Sequence, residues 1–138
     1  MSLALEDRLA ITELISLHGH LVDEGSLDRL EELFTADVVY DLTDFGGEPL
    51  TGIAAFRDAA WARGEGNPVA HHVTNIVVTV APDGRVEARS KGLGVLADGS
   101  CGSVTYHDTV VRTAEGWRIS RRRVSPRRAP LGGKAASG

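Results

Sequence analysis

Acid–base chemistry in this chain would fall to a small set of side chains, and Asp23 and His71 head it. A carboxylate that accepts from one imidazole nitrogen fixes the ring's tautomer and leaves the other nitrogen free to take a proton. Asp23 follows Leu21 and Val22 at the end of an apolar helical stretch. Burial and the helix dipole both disfavour its charge there unless a donor faces it, and an imidazole is a suitable donor. Residue types alone leave an alternative open, in which Asp23 caps the helix end and His71 merely begins an exposed strand. His71 and His72 are adjacent, so on a strand only one can look inwards. His71 is assigned inwards, with Asn75 on the same face.

Other polar residues fall where a pocket could use them. Tyr40 alternates with Val38 and Leu42 and so faces the interior. Its hydroxyl could polarise a carbonyl or hydroxyl, or it could be a core tyrosine whose hydroxyl reaches the surface. Tyr106 and Asp108 share a face with Val104 and Val110. A carboxylate on a buried face needs a partner. Arg121, on the Trp117–Ile119 side of the following strand, is the candidate, and a structural ion pair is preferred there over direct catalysis. His18 sits on the apolar stripe of the first helix as a core or pocket-lining histidine, while His20 and His107 point to the surface. A metal site is not expected, because the histidines lack ligand spacing and there is no cysteine set. No glycine-rich phosphate loop or Gly-x-Ser-x-Gly elbow occurs, and Cys101 has no evident activating partner.

These residues need elements to hold them. Ile11, Leu14, Ile15, His18 and Val22 repeat at helical spacing, widened by Leu17 and Leu21, and predict a helix over 5–23 that Gly25 stops. Ser26 is expected to cap a second helix over 27–35, and Thr51 a third over about 52–63 ended by Gly64. Val38–Leu42 reads as a short strand. From His71 the texture turns to strands, 71–81, 85–97, 102–113 and 117–124, separated by Asp83-Gly84, Asp98-Gly99 and Glu115-Gly116. Helices segregated from a hairpin sheet give an α+β architecture: a curved antiparallel sheet wrapped around three N-terminal helices, with a pocket between them. Gly92, Gly94, Gly99 and Gly102 suit the bends.

The bulk properties agree with a single domain, here 1–125, followed by a basic, flexible tail over 126–138. The chain has 138 residues, 42% hydrophobic and 25% charged, with one cysteine, which fits a reducing, cytoplasmic setting. No signal peptide is read at the N-terminus, and no apolar run approaches the roughly 20 residues a membrane helix needs. The net charge is −4, yet from Arg118 onwards there are seven basic residues and no acid. Half of the Arg121–Arg128 run lies in a strand and no aromatic residue interleaves with it, so no nucleic-acid partner is expected.

The order of short motifs resembles a known family. These are Val22-Asp23, Leu27-Asp28-Arg29-Leu30, Leu33-Phe34-Thr35-Ala36-Asp37, Gly52-Ile53, His71-His72-Val73-Thr74-Asn75, Tyr106-His107-Asp108 and Gly116-Trp117-Arg118-Ile119. Over residues 5 to 124 the chain resembles SnoaL-like members of the nuclear transport factor 2-like superfamily. That resemblance implies the cone-shaped form of the fold, a homodimer through the exposed sheet face, and a small-molecule pocket. Scytalone dehydratase and hexachlorocyclohexane dehydrochlorinase in that superfamily place an aspartate where Asp23 stands and a histidine at or next to His71. There the pair removes a proton during elimination, and the dehydratase also uses a tyrosine at a position resembling Tyr40. The resemblance thus implies a cofactor-independent lyase or isomerase, dehydratase- or cyclase-like, with Asp23, His71 and Tyr40 catalytic. His18, Asn75, Tyr106, Asp108 and Arg121 would line the pocket around a cyclic, largely apolar ligand. The rival is a non-catalytic ligand-binding or assembly module of the same fold.

Overall fold

The computed structural model of the chain describes residues 2–136; Met1, and Ser137 and Gly138 within the expected tail, lie outside the described residues. Helix α1 spans Leu5–Asp23, with Glu6 and Asp7 in its first turn and Ile11, Leu14, Ile15, His18 and Leu21 buried along one stripe. The expected second α-helix is a shorter 3-10 helix, Leu27–Glu32, and Ser26 makes no side-chain capping bond. Leu27, Leu30 and Leu33 recur every third residue, the repeat of a 3-10 turn. Leu33 is then drawn into the sheet, where its carbonyl accepts from the Ile119 amide at 2.9 Å.

Strand β1, Phe34–Asp41, therefore begins earlier than the sequence suggests. Thr51 is not a cap either: it lies in β2, Leu50–Thr51, and Gly52 at φ 91° holds the N-cap of α2, Ile53–Arg63. Four long strands follow: β3 (Ala70–Val80), β4 (Val86–Val95), β5 (Cys101–Thr113) and β6 (Gly116–Arg127). The sheet order is β2-β1-β6-β5-β4-β3. The hairpin neighbours are antiparallel as expected, but β1 joins β6 in parallel, so the sheet is mixed. β1 reaches β6 through the whole intervening chain, and a connection of that length leaves either direction open. Pro126, expected to mark the start of the tail, lies inside β6 opposite Val104. It fits because the pairing with β1 has already ended at Arg123, so the missing amide faces no neighbour.

Register shifts interrupt three ladders: β1–β6 between Phe34 and Val39, and two others that carry one extra residue each. One falls in β3 between Thr74 and Val77, the other between β5 and β6 after Thr109, leaving Ser120 unpaired. Each extra residue swaps which side chains face the core. The helices cover the concave face of the sheet, burying Ile11, Ile15, Leu30, Leu33, Val38 and Ile119 completely. Each such side chain contributes about 1.5–3 kcal/mol relative to exposure. Phe34 meets the Tyr40 and Phe56 rings edge-on, those two rings are tilted to each other, and the centroids lie 4.8–6.1 Å apart. No described helix is long and apolar enough to cross a membrane.

Two glycines act through close approach. A Cβ on Gly19 would run into the carbonyl of His71, so its absence lets α1 and β3 meet there. A Cβ on Gly92 would occupy the space of the Tyr106 ring.

Candidate active site

Between the helices and the concave sheet lies a cavity of about 620 Å³. Its walls are mainly apolar, from Val22, Leu42, Phe45, Leu50, Phe56, Val104 and Val124. Into it come four polar rings, His18 from α1, Tyr40 from β1, His71 from β3 and Tyr106 from β5. An apolar vessel with a few convergent polar groups is the usual form of a small-molecule site.

His71 is the first of these groups. Its Nδ1 lies 2.6 Å from Asp23 Oδ1, and its backbone amide donates to Asp23 Oδ2 at 2.9 Å. Asp23 therefore holds both the ring and the strand that carries it. A carboxylate only accepts, so the proton of a neutral His71 ring sits on Nδ1 and Nε2 is left with its lone pair. The side chains are 16% and 24% exposed, so the pair sits at the edge of the core. His72 is exposed, on the other side of the strand.

Deeper in stands a buried chain of three residues. Arg122, fully buried, donates from Nε and Nη2 to the two Asp108 oxygens at 2.7 and 2.8 Å. Its Nη1 donates to His18 Nδ1. Its guanidinium also lies 4.2 Å from the centroid of the Tyr106 ring. Burial, and then the adjacent Arg122 cation, push the His18 pKa well below its ordinary value, so the ring is neutral. Burial pushes the Tyr40 phenol up, which keeps its proton in place. The His18 ring centroid is 5.5 Å from that of His71 and 5.7 Å from that of Tyr106.

Three expected pocket residues, Arg121, Asn75 and Asp108, lie elsewhere. Arg121 does not partner Asp108; it points to the outer face and pairs with Asp41 at 2.6 Å. The bulge at Ser120 is the cause, since it turns Arg121 outwards and Arg122 inwards against a plain alternation counted from Ile119. Asn75 is exposed at φ 57° within the β3 bulge, so it leaves the His71 face and does not line the cavity. Asp108 lies behind Tyr106, bonded to Arg122 and absent from the cavity wall. Arg122 is the residue that sequence reading missed. Its signal was the triplet Arg121-Arg122-Arg123, which must send at least one arginine to the opposite face of a strand, with Asp108 waiting for a cation. Among the described residues no group of three or more His, Cys, Asp or Glu side chains is placed to hold a metal.

The profile of a family described as SnoaL-like domain matches residues 3–123. No curated protein matches the chain. Among solved structures, a nuclear transport factor 2-like protein with a cystatin-like fold from Novosphingobium aromaticivorans is 33% identical. That match covers 95% of this chain and 86% of the other, with a TM-score of 0.72. A protein from the same organism, provisionally named an aromatic ring hydroxylase, is 31% identical, covers 91% and 92%, and has a TM-score of 0.74. A third from that organism, provisionally named a scytalone dehydratase, shares the fold at 22% identity, covering 96% and 97% with a TM-score of 0.74.

Proposed function

The chain belongs to the family of SnoaL-like domains in the nuclear transport factor 2-like fold, and from that premise we propose a small-molecule enzyme of lyase or isomerase type, dehydratase- or cyclase-like. His71 is its general base: Nε2 takes a proton from a carbon next to a carbonyl or a leaving group, while Asp23 orients the ring and stabilises the imidazolium that forms. Tyr40, protonated and facing the same space, donates to oxygen charge that develops. The observation that carries this reading is the 2.6 Å contact of Asp23 with His71 Nδ1 at the wall of an apolar cavity.

The ligand that suits 620 Å³ of mainly apolar space is a cyclic, largely apolar compound. The provisional name of one solved relative, concerning aromatic rings, points the same way. The chemistry asks for no cofactor.

The test uses a panel of cyclic ketones and β-hydroxy ketones in deuterated water, followed by proton NMR. The wild-type chain is expected to exchange the α-proton or eliminate water, and Asp23→Asn and His71→Gln to lose about 10²–10⁴-fold in rate. Binding of the panel with no exchange or elimination would leave a ligand-binding module as the better description. We also propose a homodimer through the outer face of the sheet, where Val77 and Leu93 are exposed. A monomer by light scattering at micromolar concentration would remove it.

A further inference from the structure

We infer that His18 is a second catalytic side chain of this cavity, locked by Arg122 into the tautomer that presents an Nε2–H, and that it donates that hydrogen bond to a carbonyl oxygen of the substrate. The inference rests on His71 being the base. Its support is geometric. A guanidinium has donors and no acceptor, so the Nδ1 that receives Arg122 Nη1 carries no proton. Arg122 cannot turn away, because Asp108 grips it on two nitrogens and all three side chains are buried. A neutral ring spoken for in this way carries its one proton on Nε2, and burial keeps it neutral. Among the described residues that nitrogen has no hydrogen-bond partner, and it is not sealed from solvent, while the ring itself lines the cavity. It is therefore open to a ligand.

The two imidazoles are complementary. Asp23 makes His71 offer a lone pair, and Arg122 makes His18 offer a proton, with ring centroids 5.5 Å apart. An α-proton and the oxygen of its own carbonyl can bridge that span. In the step, His71 Nε2 takes the α-proton and the C–H electron pair becomes a carbon–carbon double bond. The carbonyl π pair moves to oxygen, and the enolate oxygen accepts from His18 Nε2–H, which stays on nitrogen. The enolate then re-forms its carbonyl. It either expels a β-hydroxide that takes the His71 proton and leaves as water, or, where a β,γ-double bond is conjugated with it, receives that proton on the γ-carbon as the double bond shifts to the α,β-position. The substrate class is accordingly a cyclic carbonyl compound with an acidic α-hydrogen.

Two measurements on the full chain test this. In ¹⁵N-labelled wild-type protein at neutral pH, ring-nitrogen NMR is expected to show His18 protonated on Nε2 alone. A proton on Nδ1, or a cation, would overturn the inference without any variant having to fold. The second probe is 4-nitrophenolate, a flat anion with one charged oxygen and no acidic carbon. His18→Asn keeps an acceptor near Nδ1 and loses the donor at Nε2, and is expected to weaken phenolate binding by about tenfold or more. His18→Gln keeps a donor near Nε2 and is expected to bind more tightly than His18→Asn. Phenolate binding by His18→Asn at wild-type strength would also overturn it. The His71 reading fails separately: Asp23→Asn that still turns over ketones removes the base, while the phenolate comparison between the two His18 variants stands unaltered.

Discussion

The two imidazoles that share the cavity are held in opposite ways. His71 sits at the edge, on a partly exposed strand, and leans on a carboxylate. His18 sits inside, on a helix, and leans on a guanidinium that is itself gripped by a carboxylate. The outer pair can lose a partner and let water in. The inner chain cannot, because an unpartnered ion in a dry interior costs several kcal/mol. The same residue type thus serves as a base in one place and as a fixed donor in the other, and the difference lies in the second residue of each pair.

Breaking the inner chain should therefore have the largest effect on folding. Asp108→Ala leaves Arg122 buried without its counter-ion and is expected to destabilise by about 3–5 kcal/mol, whereas Asp23→Asn should cost about 1 kcal/mol; urea melts of the two variants compare them directly. Gly19→Ala strikes between the regions. The new methyl meets the His71 carbonyl, and a loss of about 1–3 kcal/mol is expected together with a displaced His71; activity should fall further than stability explains.

Acid sharpens the contrast. Burial, and then the neighbouring Arg122 and His71, hold the folded His18 ring well below its ordinary pKa. The unfolded ring takes up a proton as pH falls below about 6.5, while the folded ring refuses it, so stability drops by up to about 1.4 kcal/mol per pH unit in that range. The difference between wild type and His18→Asn, measured at pH 7, 6 and 5, isolates this slope, and equal slopes would mean that the buried ring protonates. The smallest effect belongs to Arg121→Ala, one residue from Arg122. Arg121 is half-exposed on the outer face, and its buried partner Asp41 keeps two Thr43 donors without it; a change under about 1 kcal/mol is expected, with phenolate binding intact.

The fold was legible where the sequence repeats with a clean period. Helix α1 spans the residues that its apolar stripe marks out, and the Asp-Gly turn separates β3 from β4. The candidate base was within reach of sequence because resemblance joined Asp23 to His71 across 48 residues. The errors in the site share one origin. Arg121 and Asn75 were placed by strict alternation, and each lies at or just after a bulge that adds one residue and reverses the faces. No local propensity in Thr74-Asn75 or Ser120 signals that extra residue strongly enough to read. The helix expected over 27–35 failed for a different reason: pairing of Phe34 with Ile119 is a tertiary choice that outweighs helical preference.

The parallel seam between β1 and β6 has a consequence for how the chain is made. Phe34 pairs with Ile119 and Tyr40 with Arg122, so the first strand leaves the ribosome long before the strand that completes it. Until β6 has been synthesised, His18 has no guanidinium to face, the first strand keeps an open edge, and α1 has little sheet to rest on. Contacts this distant in sequence form slowly. The nascent chain must wait in a loose state until β6 has emerged, and only then does this cavity have a back wall.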